Sequence, residues 1–184
     1  LKKRRPRTFL FFTESTVCLR PADKKAMNIP RYSPGGNIMM VYTYDGVNWT
    51  EPKRIYRQAA DGNIPKVVAN QMIVHPQTGF WVLPFWHERP RQEVCKTDVG
   101  QPTVAGVLVS KDRGLSWVPH GQMRVPNTWL IEGSVATLSN GHIMQLFRTR
   151  MGVLFASVSK DGGLTWERPR RTNMPNPDSK INMV

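Results

Sequence analysis

Two side chains of opposite charge, Glu132 and Arg148, flank a short turn in the second half of the chain. The turn is LSNG at 138–141, and strand-like segments run on both sides of it. We therefore expect a hairpin that places the two side chains next to each other, with Ile131 and Phe147 on the opposite face. A planar guanidinium suits bidentate binding of a carboxylate, and a carboxylate can accept a proton. An ion pair that only orders the two strands fits the same residues equally well.

Other polar and aromatic residues fall at related places in the chain. A hairpin is also expected from 66–75 and 80–86, and matching its turn to LSNG puts Asn70 opposite Glu132 and Trp86 opposite Arg148. Sugar sites combine polar groups with aromatic rings. The candidate binding residues at these places are Arg148, Arg150, Lys66, Asn70, Trp86 and Glu88, with His87 and Trp129 close to them in sequence; the ligand that they suggest depends on the family resemblance described below.

Alternatives exist for several of these candidates. Trp86 and Trp129 also fit as packing between sheets. Arg150 shares a strand face with Arg148 and is a candidate to substitute for it. His87 lacks a partner at metal-ligand spacing, and Cys18 and Cys95 are too few for a disulfide framework or a metal site, so we predict no metal and no cofactor.

A string of eight residues occurs twice, as SKDRGLSW at 110–117 and SKDGGLTW at 159–166, and a shorter copy, TYDGVNW, occupies 43–49. An Asp followed by Gly is turn chemistry, because the carboxylate accepts hydrogen bonds from backbone N–H groups and Gly tolerates positive φ. The Trp that closes each string is large enough to anchor the turn on a sheet. We predict a structural and not a catalytic role for Asp45, Trp49, Asp112, Trp117, Asp161 and Trp166.

The segments before these strings are rich in alternating and β-branched residues, as in NIMMVYTY, TVAGVLVS and GVLFASVS. If a polar insertion at 87–102 is set aside, the strings recur about every fifty residues, a period typical of repeat folds and propellers. The strings resemble the Asp-box of sialidases and other BNR-repeat proteins, which joins the third and fourth strands of a propeller blade. The resemblance implies an all-β, sialidase-type six-bladed β-propeller, of which this chain covers about three blades.

On this basis we divide the chain into a basic tail at 1–7 and a partial propeller at 8–184. The blades are expected to end near 57, 124 and 171, and the first strand of a further blade follows at 181–184. Three blades cannot close a ring, so the remaining blades are expected from the same or another chain.

The resemblance to sialidases extends over 30–184 and includes PNPDSKINMV at 175–184, which is similar to an L-P-N-P-N-S segment of that family. It implies that Arg148 is one of three arginines that bind the carboxylate of sialic acid, and that Glu132 assists a tyrosine nucleophile. The other two arginines, the acid/base Asp and the Tyr are expected outside this chain. The implied activity is that of a retaining exo-α-sialidase-like hydrolase, and the chain alone is expected to be inactive.

The charge favours anionic partners. The net charge is +13, and LKKRRPR at 1–7 carries five basic residues. An acidic glycan or sialoside is the expected ligand, and weak contact of the tail with nucleic acid or an anionic surface is the secondary expectation; a solvated tail is the alternative. No apolar run is long enough for a membrane span. The alternative function is a non-catalytic BNR propeller that serves as a binding platform or as a subunit of a larger assembly.

Overall fold

The structure is a computed structural model, and it describes residues 6–15, 19–20, 31–32, 35–88 and 103–184. The regular elements in this part of the chain are β-strands and one short 3-10 helix, so the fold is all-β, with three main sheets. The described residues up to Val67 form one compact unit, and those from Val68 onwards form a second. Cys18, Cys95 and most of the predicted insertion lie outside the described residues.

The first unit is built on a three-stranded antiparallel sheet, in which Asn37–Thr43 pairs with Thr8–Glu14 on one side and with Lys53–Tyr56 on the other. The central strand is buried on both faces, because consecutive side chains point to opposite faces and the four consecutive residues Ile38–Val41 are all apolar. The elements of this unit are β1 (Thr8–Glu14), β2 (Leu19–Arg20), β3 (Arg31–Tyr32), β4 (Asn37–Thr43), β5 (Lys53–Tyr56), a 3-10 helix at Gln58–Asp61 and β6 (Lys66–Val67).

Of the predicted basic tail, the structure describes only the last two residues. The Arg7 guanidinium lies 5.0 Å from the ring centre of Phe9 and 5.1 Å from that of Tyr42. These distances are typical of cation–π contacts. At least this one cation of the tail therefore packs on the first sheet.

The second unit contains two antiparallel sheets, and in each of them the strands pair with their neighbours in chain order. The strands of the first of these sheets are β7 (Ile73–Val74), β8 (Trp81–His87), β9 (Ala105–Ser110) and β10 (Val118–Met123). Those of the second are β11 (Ile131–Thr137), β12 (Ile143–Arg148), β13 (Val153–Ser159) and β14 (Arg170–Pro175).

A single apolar core joins these two sheets. Val82, Val107 and Val109 from one sheet pack with Val135 and Ile143 from the other, and all five are at most 2% exposed. The β-branched side chains suit a pleated interface between sheets, and their burial supplies the main stabilisation of the unit.

The outer strands β5 and β10 end at Tyr56 and Met123, and β14 ends at Pro175. Residues 181–184, where the sequence predicts the start of a further blade, form no strand in the structure. The backbone N–H of Met183 instead donates to Ser134 Oγ at 2.9 Å, so this segment runs beside β11.

Each of the three repeated strings forms a turn that its Asp caps; we call them the repeat turns. In the third, Asp161 Oδ1 accepts from the backbone N–H of Thr165 at 2.8 Å and from the Ser159 hydroxyl at 2.9 Å. Ser159 Oγ in turn accepts from the N–H of Gly163 at 2.9 Å. Asp45 and Asp112 make the equivalent bonds in the first and second repeat turns. The polar groups of the turn thus satisfy each other locally.

The hydrogen bonds make the turn carboxylates strong acids. The Ser116 side-chain and backbone donors lower the pKa of Asp112 to about 2. In the third turn, burial raises the pKa of Asp161, but bonds from Thr165 and Ser159 outweigh it and the net pKa is lowered. Both carboxylates are therefore committed, as ionised acceptors, to holding a turn.

The closing tryptophans differ among the turns. Trp166 packs against the core of the second unit, and its indole N–H donates to Gly163 O at 2.9 Å. The ring of Trp117 lies 6.3 Å from that of Trp81. Trp49 is 43% exposed. The first copy is one residue shorter, and its Trp is less enclosed than the sequence analysis expects of an anchor.

Candidate functional site

The start of β11 and the end of β12 lie at the same end of the last sheet. Because the strands are antiparallel, Ile131 pairs directly with Arg148. The next regular pair is Ser134 with Leu146, so Glu132 and Gly133 together face one residue of β12. This is a β-bulge, which bends a strand and redirects its side chains.

The bulge interrupts the regular alternation of side chains between the two faces of β11 that the sequence predicts. Directly paired residues share a face of the sheet, so Ile131 lies on the face of Arg148 and not on the opposite one, as predicted. Glu132 has φ +50, an uncommon value for a residue other than glycine. A Cβ at Gly133 would lie 2.3 Å from the Gln145 side-chain nitrogen, so a larger residue there would displace the Gln145 side chain.

The bulge brings Glu132 and Arg148 into contact. Arg148 Nη1 donates to Glu132 Oε2 at 2.8 Å, and Arg148 Nε donates to Asp178 Oδ1 at 2.8 Å. Arg150 Nε lies 4.0 Å from the second oxygen of Asp178. We call these four residues the arginine cluster. Its side chains range from the mostly enclosed Glu132, 18% exposed, to Arg150, 68% exposed.

Asp178 is absent from the residues singled out in the sequence. It lies in a turn that Asn176 holds, with Ser179 N–H donating to Asn176 Oδ1 at 3.1 Å and Asn176 Nδ2 donating to Ser179 O at 2.9 Å. Asp178 itself has φ +61, a conformation that Asp tolerates well. The N-P-D-S composition signals such a turn, but nothing local indicates that its carboxylate reaches an arginine thirty residues earlier.

The charges of the arginine cluster are mutually stabilised. Hydrogen bonds to Asp178 first and Glu132 second raise the pKa of Arg148. The bond from Arg148 holds the pKa of Asp178 below its usual value. Two cations and two carboxylates balance formally, so the site is a neutral ion cluster with a partly accessible guanidinium.

Asn70 links the neighbouring sheet to this site. Its Nδ2 donates to the carbonyl of Glu132 at 2.8 Å and to that of Gly133 at 3.1 Å. The two carbonyls belong to the bulge, where the regular ladder is interrupted. Asn70 therefore supports the backbone that positions Glu132.

The structure places the remaining candidates as follows. Trp86 is 6% exposed, and its indole N–H donates to Glu88 Oε2 at 3.2 Å. Lys66 belongs to the first unit, where its side chain is completely buried and paired with Asp61. Arg150 lies over the ring of Trp129, with 5.1 Å from the guanidinium carbon to the ring centre.

A cavity of about 340 Å³ adjoins Trp129 in the second unit. Its polar lining includes His87, Arg124, Asn127 and Thr128. Thr128 Oγ1 accepts from the backbone N–H of Arg150 at 3.1 Å, so the cavity lies next to the arginine cluster. Its volume is at the lower end of the usual range for small-molecule pockets.

The third repeat turn lies at the other end of this sheet. Ile143, the first residue of β12, pairs with Ser159, where that turn begins, while Arg148 is the last residue of β12. At about 3.3 Å per residue, the two are separated by roughly 17 Å along the strand. Among the described residues no cluster of His, Cys, Asp or Glu could hold a metal ion. Nor does this part of the chain contain a helix able to cross a membrane.

Known structures share this fold at low sequence identity. A protein of unknown function from Dyadobacter fermentans has a TM-score of 0.67 and 18% identity, over 95% of this chain and 50% of its own. A Hadza microbial sialidase has a TM-score of 0.63 and 22% identity, over 95% of this chain and 32% of its own. For a mutant of the NanB sialidase from Streptococcus pneumoniae the values are 0.62 and 16%, over 85% of this chain and 22% of that one.

This chain thus spans half or less of each of these proteins. No curated protein sequence matches it. The family model of the BNR repeat-like domain matches residues 8–184, almost the whole chain. The resemblance found in the repeated strings is confirmed at the level of the family: this chain belongs to the BNR repeat-like domain family.

Proposed function

We propose that this chain forms part of a sialidase-like, six-bladed propeller that hydrolyses a terminal acidic sugar. Arg148 binds the carboxylate of the sugar, and Glu132 accepts the proton of a tyrosine nucleophile. The contact that carries the proposal is the 2.8 Å bond between Arg148 Nη1 and Glu132 Oε2. It joins a permanent cation and a proton acceptor at one strand edge, where both remain partly accessible.

The chemistry of the two groups supports this assignment. A guanidinium is planar and always charged, so it binds a carboxylate through parallel hydrogen bonds that an ammonium cannot reproduce. A phenol is a weak nucleophile until a base takes its proton, and Glu132 is a suitable base. The nucleophilic Tyr, an acid/base Asp and two further arginines are assigned by the proposal to residues outside these 184. Catalysis therefore belongs to the completed propeller.

The test is turnover of a fluorogenic sialoside by the complete propeller that contains this chain. We expect Arg148→Lys to raise KM substantially, because the ammonium of Lys is a point charge and cannot form the two parallel hydrogen bonds of a guanidinium. Glu132→Gln is expected to lower kcat more than it raises KM, since it removes a proton acceptor and little shape. Arg113→Lys is the matched control, because Arg113 is exposed in the second repeat turn. Unchanged kinetics in Arg148→Lys contradict the proposal.

A non-catalytic binding platform is the second candidate function. One observation favours it: Arg148 already bonds two carboxylates of its own chain, as an arginine with a purely structural role would. In that case the complete propeller does not hydrolyse sialosides, and Arg148→Lys changes the stability of the fold without changing any ligand affinity.

A further inference from the structure

Arg148 lies between two carboxylates that the chain itself supplies. A guanidinium offers a ligand two forks, Nε with Nη2 and Nη1 with Nη2, and each fork binds one carboxylate through parallel bonds. Asp178 bonds Nε and Glu132 bonds Nη1, both at 2.8 Å. Nε has a single N–H, so Asp178 engages the fork of Nε and Nη2, and a ligand carboxylate gains that fork only if Asp178 leaves.

The surroundings of the two carboxylates indicate which one leaves. Glu132 is 18% exposed, and Asn70 holds its backbone through the bulge. Asp178 is 43% exposed and lies in a turn whose internal bonds are made by Asn176 and Ser179. The Asp178 side chain can thus rotate away from Arg148 without breaking the bonds that hold its turn.

We propose that Asp178 is a specificity-determining residue of this site: an internal carboxylate that the carboxylate of an acidic ligand must replace at Arg148. The inference rests on the proposed function and deepens it. A displaced Asp178 remains near the incoming anion, so simple carboxylates bind weakly. An acidic sugar binds only when its other contacts compensate for the displacement. Neutral sugars, which do not need the fork, are not subject to this competition.

The same geometry gives ligand binding a pH dependence. The charged groups that face Asp178 are Arg148 and Arg150, with Glu132 beyond Arg148. The bond from Arg148 lowers the pKa of Asp178, so Asp178 is ionised and competes fully at neutral pH. Once a ligand anion has displaced it, Asp178 loses that bond and faces a like charge, and both changes raise its pKa. Binding of an acidic ligand is therefore coupled to proton uptake and strengthens in mild acid.

The experiment measures calorimetric binding of N-acetylneuraminic acid, and of its uncharged methyl ester, at pH 7 to the complete propeller that contains this chain. Asp178→Asn is the informative variant, because Asn tolerates the φ of +61 and keeps the shape of the side chain. We expect about fivefold tighter binding of the acid, the equivalent of one exposed ion pair, and no change for the ester. Glu167→Gln is the matched control: it also removes one half-exposed carboxylate from an ion pair, at the other end of the sheet.

The outcomes separate the two proposals. If Arg148→Lys leaves binding of the acid unchanged, the proposed function is wrong. If Arg148→Lys weakens binding but Asp178→Asn leaves it unchanged or weakens it, only the competition by Asp178 is wrong. If neither the wild-type propeller nor its Asp178→Asn variant binds the acid, both proposals are overturned.

Discussion

The two units of this chain each contain an ion cluster, and the two clusters differ in how far water reaches them. In the first unit Lys66 is completely buried; its Nζ contacts Asp61, donates to Gln58 O at 2.8 Å and lies 4.8 Å from the ring centre of Tyr56. In the second unit Arg148 is 23% exposed between its two carboxylates. Both cations are paired, but only Arg148 is accessible to a ligand.

Burial changes what a charge can do. Desolvation lowers the pKa of Lys66, and the contacts with Asp61 oppose that shift. A charge enclosed in this way contributes to the fold only as long as its partner stays in place. An exposed pair contributes little to stability, and its partner can be exchanged for a ligand. Lys66 is therefore suited to a structural role, and the arginine cluster to the ligand binding proposed for it.

The largest expected effect breaks the enclosed cluster. Lys66→Met keeps much of the side-chain volume but leaves Asp61 without its cation, and we expect a loss of about 3 kcal/mol in the free energy of unfolding, measured by urea denaturation. Arg148→Met removes a cation from the accessible cluster and should cost about 1 kcal/mol or less. Loss of ligand binding in Lys66→Met with unchanged stability would instead assign Lys66 to a ligand site, as the sequence analysis expects.

The next effect separates the fold from the site within the second unit. Trp166→Ala removes an indole that packs on the core and is expected to cost about 2–3 kcal/mol, with no change in ligand affinity in the protein that remains folded. Trp49→Ala is the matched control, because Trp49 is 43% exposed and should cost much less. Equal thermal shifts in the two variants would show that the repeat turns do not differ in the way described.

The smallest expected effect concerns the stability of the first unit at alkaline pH. Burial first, and Asp61 second, raise the pKa of Tyr56, whose hydroxyl donates to Asp61 at 3.0 Å. A group with a raised folded pKa contributes stability below its unfolded pKa of about 10 and loses it as pH rises through the folded value. We expect wild type to exceed Tyr56→Phe in stability by about 1 kcal/mol at pH 8.

The stability advantage of wild type over Tyr56→Phe should shrink above pH 10, as measured by urea denaturation at each pH. Ultraviolet titration of the phenols supplies the control, because Tyr56→Phe should remove a phenol that ionises above the ordinary pKa of about 10 while the protein remains folded. A stability difference that stays constant up to pH 12 argues against the enclosed position of this hydroxyl.

Local chemistry is sufficient to predict the repeat turns and the strands that lead into them, but not the structure of 181–184, where a predicted strand does not form. Asp, Gly and Ser at fixed spacing satisfy each other within a few residues, so the turn at Asp161 follows from its own string. The all-β class and the BNR repeat family follow from the same strings and the strand-like segments between them. The contact of Glu132 with Arg148 also follows, since one hairpin joins them.

Contacts between distant segments are not predictable in this way. Asp178 reaches Arg148 because a turn after β14 returns to the edge of β12, and no local pattern encodes that return. At the bulge, Asn70 bonds the carbonyls of Glu132 and Gly133 across more than sixty residues of sequence, another contact that no local pattern encodes. Lys66, proposed from the sequence as a binding residue, is enclosed because the 3-10 helix at Gln58–Asp61 supplies its partners.

The distance between the third repeat turn and the arginine cluster has a consequence for the evolution of this protein. One end of the sheet closes a turn with Asp161, and the other end holds Arg148 and Asp178. Substitutions at distant, independent positions usually have additive effects. Mutations around Arg148 can therefore change the ligand while selection on Asp161 and Trp166 continues to maintain the fold. A duplicated copy of such a gene can therefore change at one end of this sheet without first becoming unstable.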